Sequence, residues 1–357
     1  MKNRVGIVTF HNHENYGAAL QAFGLCRALE TLGAEVCFVR DKRAKAAVAE
    51  QEAGVSPDLK YDKVAVVAKK MMQRYMDLRK KEFQRFVENY LPEADLTEER
   101  DLNQEFSCFV AGSDQVWNFE ITGADPFWFL DFAEPQKRIS YAASFGMEEL
   151  PEKTREWYYE QLKDFAQISV REASGAGIIQ ELLGREAQIC PDPTLLLTAK
   201  EWAELVHDSK EAVVLYMTEF DSQLYKIAQE RAKALGCQLV CISSMLSIQG
   251  LSSQAGGCGP QEWLSCFYHA KEVYTNSFHG TVFAVLFHKD LYIKPLQKLA
   301  KRNNRIQNLL DTLGAVWKED SQTKIFQISF LQNWDVVDEK ISELRKVGMN
   351  YLKKVLS

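Results

Sequence analysis

Residues 4–40 read RVGIVTFHNHENYGAALQAFGLCRALETLGAEVCFVR, and this stretch carries the patterns of a strand, a helix and a second strand. Residues 5–10 form an apolar run, and after a polar loop apolar side chains recur at helical spacing over 18–32. Gly33 marks the helix end, because glycine readily takes the left-handed cap conformation, and another apolar run follows at 35–40. The stretch therefore predicts a βαβ unit, the beginning of a parallel α/β sheet.

The alternation of strand and helix patterns continues along the chain. A proline-rich break at 191–193 interrupts every regular pattern, and beyond it the alternation restarts. The chain ends in a helical pattern at 336–356, which is a candidate to pack back on the first half. We therefore predict an α/β fold with two Rossmann-like domains facing a cleft, at 1–190 and 191–357.

Composition narrows the class of protein. A length of 357 residues suits two domains, and the net charge of −6 disfavours a nucleic-acid binder, which needs a basic excess. The sequence has no apolar run of about 18 residues and no signal-peptide pattern, so we expect a cytoplasmic protein. The eight cysteines are scattered without a Cys-x-x-Cys pair, and we expect them to be reduced.

The helical pattern at 63–85 is strongly basic, with eight Lys and Arg residues against Asp77 and Glu82. The commoner structure of this kind is a solvated helix with one apolar face. The alternative is a surface that meets anionic lipid or a lipid-linked acceptor, which would bring the protein to the inner face of the membrane.

Polar turns follow several predicted strands, at the sheet edge where α/β proteins bind ligands. The first turn contains Asn15, Tyr16 and Gly17 and is either a substrate-facing loop or a structural one. His11 and His13 also lie there, but a metal site would need further ligands, and we predict no metal.

The turn at 112–118 combines a serine, a carboxylate, two amides and an indole. Aromatic faces stack on sugar rings, and Asp and Asn bind hydroxyls, so the turn suits a sugar. The equal alternative is a capped helix start with the indole in the core. The candidates for lining the cleft are Ser113, Asp114, Gln115, Trp117 and Asn118, with Ser144 after the next strand.

Two side chains in such turns carry the chemistry of an anion site. Arg171 could hold a carboxylate or phosphate in a forked contact, or pair with Glu172. His279, in the stretch TNSFHG at 275–280, could transfer a proton or pair with phosphate, or simply start a helix. Positive charge follows downstream at Lys294, Lys301 and Arg302, on either an anion-binding or a solvated surface.

Taken together, six motifs resemble the polysaccharide pyruvyl transferase family in order and spacing. They are NYGAALQ at 15–21, AGSDQVWN at 111–118, YAASFG at 141–146, SVRE at 169–172, DPTLL at 192–196 and SFHG at 277–280.

This resemblance implies a GT-B-like arrangement of the two domains. It implies phosphoenolpyruvate as co-substrate, with no bound cofactor, and a hexose of a cell-surface polysaccharide or lipid-linked precursor as acceptor. The product would be a pyruvate ketal, with release of phosphate. His279 and Arg171 would act in catalysis or donor binding, with Ser277 and Gly280 at the donor.

Some relatives have arginine where this chain has Ser277, so Lys294, Lys301 or Arg302 would hold the donor's anionic group, or the donor pose differs. Two other functions remain open. The first is a sugar-nucleotide glycosyltransferase of GT-B fold. The second is a non-catalytic glycan-binding protein, which burial of His279 and Arg171 in structural contacts would favour.

Overall fold

The computed structural model describes residues 3–43, 63–243, 258–296, 303–331 and 333–357, with side chains of the helix that begins at Lys63 described from residue 73. Lys301 and Arg302 lie outside the described residues.

The first half is built on a five-stranded parallel sheet in the order β3-β2-β1-β4-β5. Its strands are β1 Arg4–Val8, β2 Glu35–Asp41, β3 Glu93–Leu96, β4 Cys108–Ala111 and β5 Arg138–Ser140. Isolated bridges join the region after β5 to β6 Ser169–Val170, which pairs with β7 Gln188–Ile189. The helices are α1 Tyr16–Thr31, α2 Lys63–Tyr90, α3 Phe119–Thr122, α4 Arg155–Leu162 and α5 Ala173–Leu183.

The second half is a six-stranded sheet in the order β12-β13-β11-β10-β8-β9. Its strands are β8 Ala212–Met217, β9 Gln238–Ser243, β10 Ala270–Thr275, β11 Asp290–Ile293, β12 Ala315–Asp320 and β13 Ile325–Phe330. The first four pair in parallel, and β12 and β13 form an antiparallel hairpin on the β11 edge. The helices are α6 Ala199–Ala203, α7 Ser222–Ala234, α8 Pro260–Tyr268, α9 Phe278–Leu286, α10 Asn303–Leu313 and α11 Trp334–Leu356.

Local chemistry explains the strand-to-helix turns that matter for the site. The Asn15 side chain caps α1 by accepting a 3.2 Å hydrogen bond from the backbone N–H of Ala18. Gly33 ends the α1 region with φ of 85°, a left-handed conformation that glycine adopts without strain. The first βαβ unit lies where the sequence predicts it, and the predicted α/β class with two Rossmann-like halves is confirmed.

An apolar core continues from the first half into the second. Tyr16 is fully buried, its ring stacks 5.8 Å from that of Trp263, and its hydroxyl donates to the Cys258 carbonyl at 2.9 Å. From α2, buried Arg79 donates to the Glu14 carbonyl at 2.6 Å and lies 5.0 Å above the Tyr16 ring. These contacts fix the start of α1 against the second half.

The last helix, α11, lies against the first sheet. The Tyr351 hydroxyl donates to the Ser140 carbonyl at 2.9 Å, and Asn3 Nδ2 donates to the Leu356 carbonyl at 3.2 Å. The domain boundary between 190 and 191 stays a prediction. In the described ranges, no helix has the length and apolar character needed to cross a bilayer.

Candidate active site

The starts of α1 and α9 meet where the two halves face each other. α1 follows β1 and α9 follows β10, so both helix starts lie at the carboxyl ends of parallel strands. Gly17 packs so closely on the His279 ring that a Cβ at Gly17 would overlap it. Gly17 and His279, both predicted from the sequence, are therefore brought together across the interface.

His279 faces a buried carboxylate. Its Nε2 lies 3.6 Å from Oδ2 of Asp192, and it has no hydrogen-bond partner among the described residues. The Thr194 backbone N–H and hydroxyl donate to the other oxygen, Oδ1, at 3.0 and 2.7 Å. The His279 side chain is 12% exposed, so it connects the buried carboxylate to the surface of the cleft.

Arg171 lies behind this pair and is surrounded by carboxylates. Its Nη1 contacts Asp192 Oδ2 at 2.9 Å, its Nε donates to Glu172 Oε1 at 2.9 Å, and its Nη2 lies 3.5 Å from Asp114 Oδ1. The side chain is only 4% exposed. Arg171 therefore binds carboxylates of the protein itself, including Glu172, as the alternative from the sequence predicted. The other prediction, that its guanidinium is open to a donor anion, is corrected.

The charges in this cluster shift its titration. Burial by itself would raise the pKa of the Asp192 carboxyl, but neighbouring His279, Arg171 and the Thr194 hydroxyl hold it well below its usual range. Burial would likewise lower the pKa of Arg171, yet the negative charges of Glu172, Asp114 and Asp192 raise it above its ordinary value. Asp192 and Arg171 therefore form a pair that is charged at neutral pH beside His279.

Other predicted donor residues have structural contacts. Ser277 caps α9 by accepting a hydrogen bond from the Gly280 backbone N–H at 3.4 Å. A Cβ at Gly280 would approach the Thr275 hydroxyl to 2.5 Å, so glycine is required for packing. Lys294 Nζ binds Asp221 at 2.9 Å and Gln223 at 2.7 Å. The prediction that Lys294 binds the donor is therefore wrong for this arrangement, because its charge is already paired.

Two aromatic candidates for lining the cleft lie in the core instead. Trp117 has no exposed surface and stacks on Phe129 at 5.8 Å, as the core alternative predicted. Tyr16 belongs to the shared core described above. Nearby, Ser113 is buried and donates to the Ala142 carbonyl at 3.0 Å, so it does not line the cleft either.

The remaining polar candidates hold turns. Asn118 caps α3 through a 3.0 Å hydrogen bond from the Glu120 backbone N–H, and its Nδ2 donates to Gln115 Oε1 at 2.8 Å. Asn15 is exposed at the start of α1.

His11 pairs with a carboxylate, since its Nε2 contacts Glu93 Oε1 at 2.9 Å. The described residues contain no cluster of three or more potential metal ligands.

A pocket of about 360 Å³ opens beside the Arg171 cluster, between the two halves. Glu172 belongs to both the pocket and the Arg171 cluster. It lines the pocket, and it accepts hydrogen bonds from Arg171 and from the Ser144 hydroxyl, the latter at 3.1 Å. From the second half, Arg305 lines the pocket, and its guanidinium lies 5.6 Å from the Phe278 ring.

Sequence reasoning did not select Asp192, Glu172 or Arg305 as site residues. Asp192 stands before Pro193-Thr194, a pattern typical of a side chain that caps the following turn. This capping role explains the residue without its additional contact with Arg171, which only the fold shows. Arg305 follows Lys301 and Arg302 in the sequence, but only the fold shows that its side chain lines the cleft.

Comparison with known proteins yields one family and several distant structural similarities. The family model for polysaccharide pyruvyl transferase matches residues 15–290. No curated protein matches the chain.

Among solved structures, the S. aureus MnaA–UDP co-structure is 10% identical, with 99% of this chain and 91% of that chain covered and a TM-score of 0.44. Spinosyn rhamnosyltransferase SpnG is 11% identical, with 99% and 95% covered and a TM-score of 0.37. The glycosyltransferase SnogD from Streptomyces nogalater is 12% identical, with 99% and 98% covered and a TM-score of 0.36. Because the family model spans well over half of the 357 residues, the chain belongs to the polysaccharide pyruvyl transferase family.

Proposed function

We propose that the protein transfers the pyruvyl group of phosphoenolpyruvate to a hexose of a cell-surface polysaccharide or its lipid-linked precursor, forming a pyruvate ketal and releasing phosphate. Family membership supports a transferase acting on a glycan. The observation that carries the finer proposal is the meeting of His279 with the Asp192–Arg171 pair between the two halves. A cytoplasmic location near the membrane, aided by the basic helix at 63–85, is part of the same proposal.

The reaction requires proton transfers and a place for negative charge. A proton added to C3 of the enol leaves oxocarbenium character at C2, and one sugar hydroxyl bonds to C2 as it loses its proton. The C2–O bond to phosphate then breaks, and a second hydroxyl closes the ketal ring with loss of its own proton. An acid, a base and fixed positive charge are sufficient for these steps.

His279 is the residue suited to the acid role. Its side chain is 12% exposed, and ionised Asp192 lies 3.6 Å from the buried Nε2, so it can compensate the charge of the ring when the ring carries two protons. We assign it the proton that goes to C3 or to the departing phosphate. Arg171 acts as a positioning residue, because it holds Asp192 and Glu172 and has no surface for the donor in this arrangement.

The donor's negative charge needs a cation at the cleft surface. Arg305 lies over Phe278, the neighbour of His279, but it lines the pocket together with the carboxylates of Glu148 and Glu172. Lys301 and Arg302 remain candidates from the sequence.

A second candidate function has one observation in its favour. Three carboxylates enclose Arg171 in structural contacts, as expected if the protein binds a glycan without catalysing a reaction on it. The partial exposure of His279 and its unpartnered Nε2, among the described residues, favour catalysis instead.

The test is phosphate release from phosphoenolpyruvate, measured with candidate glycans and lipid-linked sugars as acceptors. We expect release only when phosphoenolpyruvate and an acceptor are both present, together with a product heavier by one pyruvate ketal. Consumption of sugar nucleotides would support a glycosyltransferase instead. Acceptor binding without either reaction would support the glycan-binding function.

Replacing Gly17 with alanine is expected to abolish most activity while the protein stays folded. The new methyl group would overlap the His279 ring and displace it from Asp192, and a misplacement of about 1 Å costs on the order of 100-fold in rate. The measurements are kcat for phosphate release and the melting temperature.

Gly177→Ala is the matched control, because Gly177 lies in α5 with nothing within 4 Å of an added Cβ. It should retain full activity and gain up to about 1 kcal/mol of stability. Equal activity of the Gly17 and Gly177 variants would show that close approach of His279 to α1 does not matter for the reaction.

A further inference from the structure

The pocket between the two halves has the size and lining of a small-molecule site. Its volume of about 360 Å³ lies at the lower end of the range for such sites, about 300–1,000 Å³. The first half supplies the turn at 146–148 and the start of α5, and the second half supplies one face of α10. Asn304 Nδ2 donates to Glu148 Oε1 at 2.9 Å across the gap, so both walls are held together.

The polar groups of the pocket are mixed donors and acceptors. Gln115, Asn304 and Asn308 contribute side-chain amides, each with an oxygen that accepts and a nitrogen that donates. The first turn of α5, at Ala173 and Ser174, adds backbone N–H donors that have no partner within a helix. A ligand with many hydroxyl groups can satisfy such a lining, since each hydroxyl both donates and accepts.

The charge of the pocket disfavours a highly anionic ligand. Two carboxylates, from Glu148 and Glu172, face one guanidinium, from Arg305. Phosphoenolpyruvate carries a phosphate and a carboxylate, which would lie against these two acidic side chains. An uncharged sugar ring is not repelled by these carboxylates.

One carboxylate oxygen of Glu172, Oε2, is placed to accept a hydrogen bond from a ligand hydroxyl. Its Oε1 accepts the hydrogen bonds from Arg171 Nε at 2.9 Å and Ser144 Oγ at 3.1 Å. Within the described chain, Oε2 receives no hydrogen bond, and the side chain forms part of the pocket wall. One oxygen is therefore fixed by the protein and the other is left for a ligand.

We propose that this pocket is the acceptor subsite and binds one uncharged hexose unit, with Oε2 of Glu172 accepting a hydrogen bond from a sugar hydroxyl. The inference rests on the proposed function, because it gives the glycan a place beside His279. It separates the two substrates: the sugar binds between Glu172 and α10, and phosphoenolpyruvate binds outside this pocket.

The test fills the pocket and measures the two substrates separately. Asn308 is exposed on α10, so Asn308→Trp places an indole in the pocket without disturbing the core. The probes are methyl β-galactopyranoside, methyl β-glucopyranoside and methyl α-mannopyranoside, each titrated to about 20 mM by saturation-transfer NMR, and phosphoenolpyruvate by calorimetry. We expect at least one hexoside to bind, its affinity to fall at least tenfold in the variant, and phosphoenolpyruvate affinity to change by less than about twofold.

Gln307→Trp is the matched control, since Gln307 is exposed on the same helix but faces a different pocket beside Ile293 and Trp317. It should bind the hexoside and phosphoenolpyruvate as the unmodified chain does. Failure of all three hexosides to bind would overturn the inference, as would loss of phosphoenolpyruvate binding in Asn308→Trp with hexoside binding kept. If hexoside binding is lost as expected but phosphate is never released, the subsite stands and the proposed reaction fails.

Discussion

Replacing His279 with asparagine is expected to lower kcat for phosphate release by about 10²- to 10⁴-fold, the usual contribution of a general acid or base. Asparagine is polar and similar in size but cannot transfer a proton near neutral pH. The variant should stay folded, because Arg171 and Thr194 still contact Asp192, but it should lose some stability because His279 helps to keep the pKa of Asp192 low. The measurements are steady-state kinetics and the melting temperature.

His288→Asn is the matched control for this experiment. His288 also pairs with a carboxylate, since its Nε2 lies 2.9 Å from Asp338 Oδ1, but it is exposed and belongs to the turn after α9. Its φ of 54° is left-handed, a conformation that asparagine tolerates. This variant should keep full activity. If His279→Asn also kept more than about a tenth of kcat, His279 would be a helix-start residue and not the acid.

The fold was predictable because buried parallel strands appear in the sequence as short apolar runs. β1, β8 and β10 are almost fully buried, and the alternation with helices then leaves few topologies. The hairpin β12–β13 did not follow from this alternation. Its strands carry charged and exposed residues at the sheet edge, as in AVWKED at 315–320, and so lack the continuous apolar pattern.

The site was only partly predictable, because burial is a property of the assembled fold. His279 and Gly17 could be selected as residues of strand-to-helix turns, but not their mutual contact, which depends on how the two halves pack. Trp117 follows a buried strand in a polar motif, and sequence alone does not decide whether its indole faces a sugar or the core. Arg171 was recognised as a charged residue, while its partners Asp114 and Asp192 are distant in sequence.

Replacing Arg171 with methionine is expected to lower the free energy of unfolding by about 3–5 kcal/mol at pH 7, because it leaves buried carboxylates without their cation. The effect should depend on pH. The pKa of Asp192 is depressed in the folded state, so its stabilising contribution is present above about pH 4 and is lost as the pH falls through the folded pKa. Without Arg171 that depression shrinks, and the difference in stability between the variant and the unmodified chain should narrow below about pH 4.

Urea unfolding at pH 7 and melting temperatures between pH 7 and pH 3.5 measure this effect, with Arg40→Met as the matched control. Arg40 also binds two carboxylates, Glu93 at 2.7 Å and Asp95 at 2.6 Å, but its side chain is 36% exposed. Water screens such surface pairs, so the control should lose no more than about 1 kcal/mol. Equal losses in the two variants would contradict the view of Arg171 as the buried cation that holds Asp192 beside His279. A larger and pH-dependent loss for Arg171→Met would support it, because water does not reach the enclosed carboxylate of Asp192 to compensate its charge.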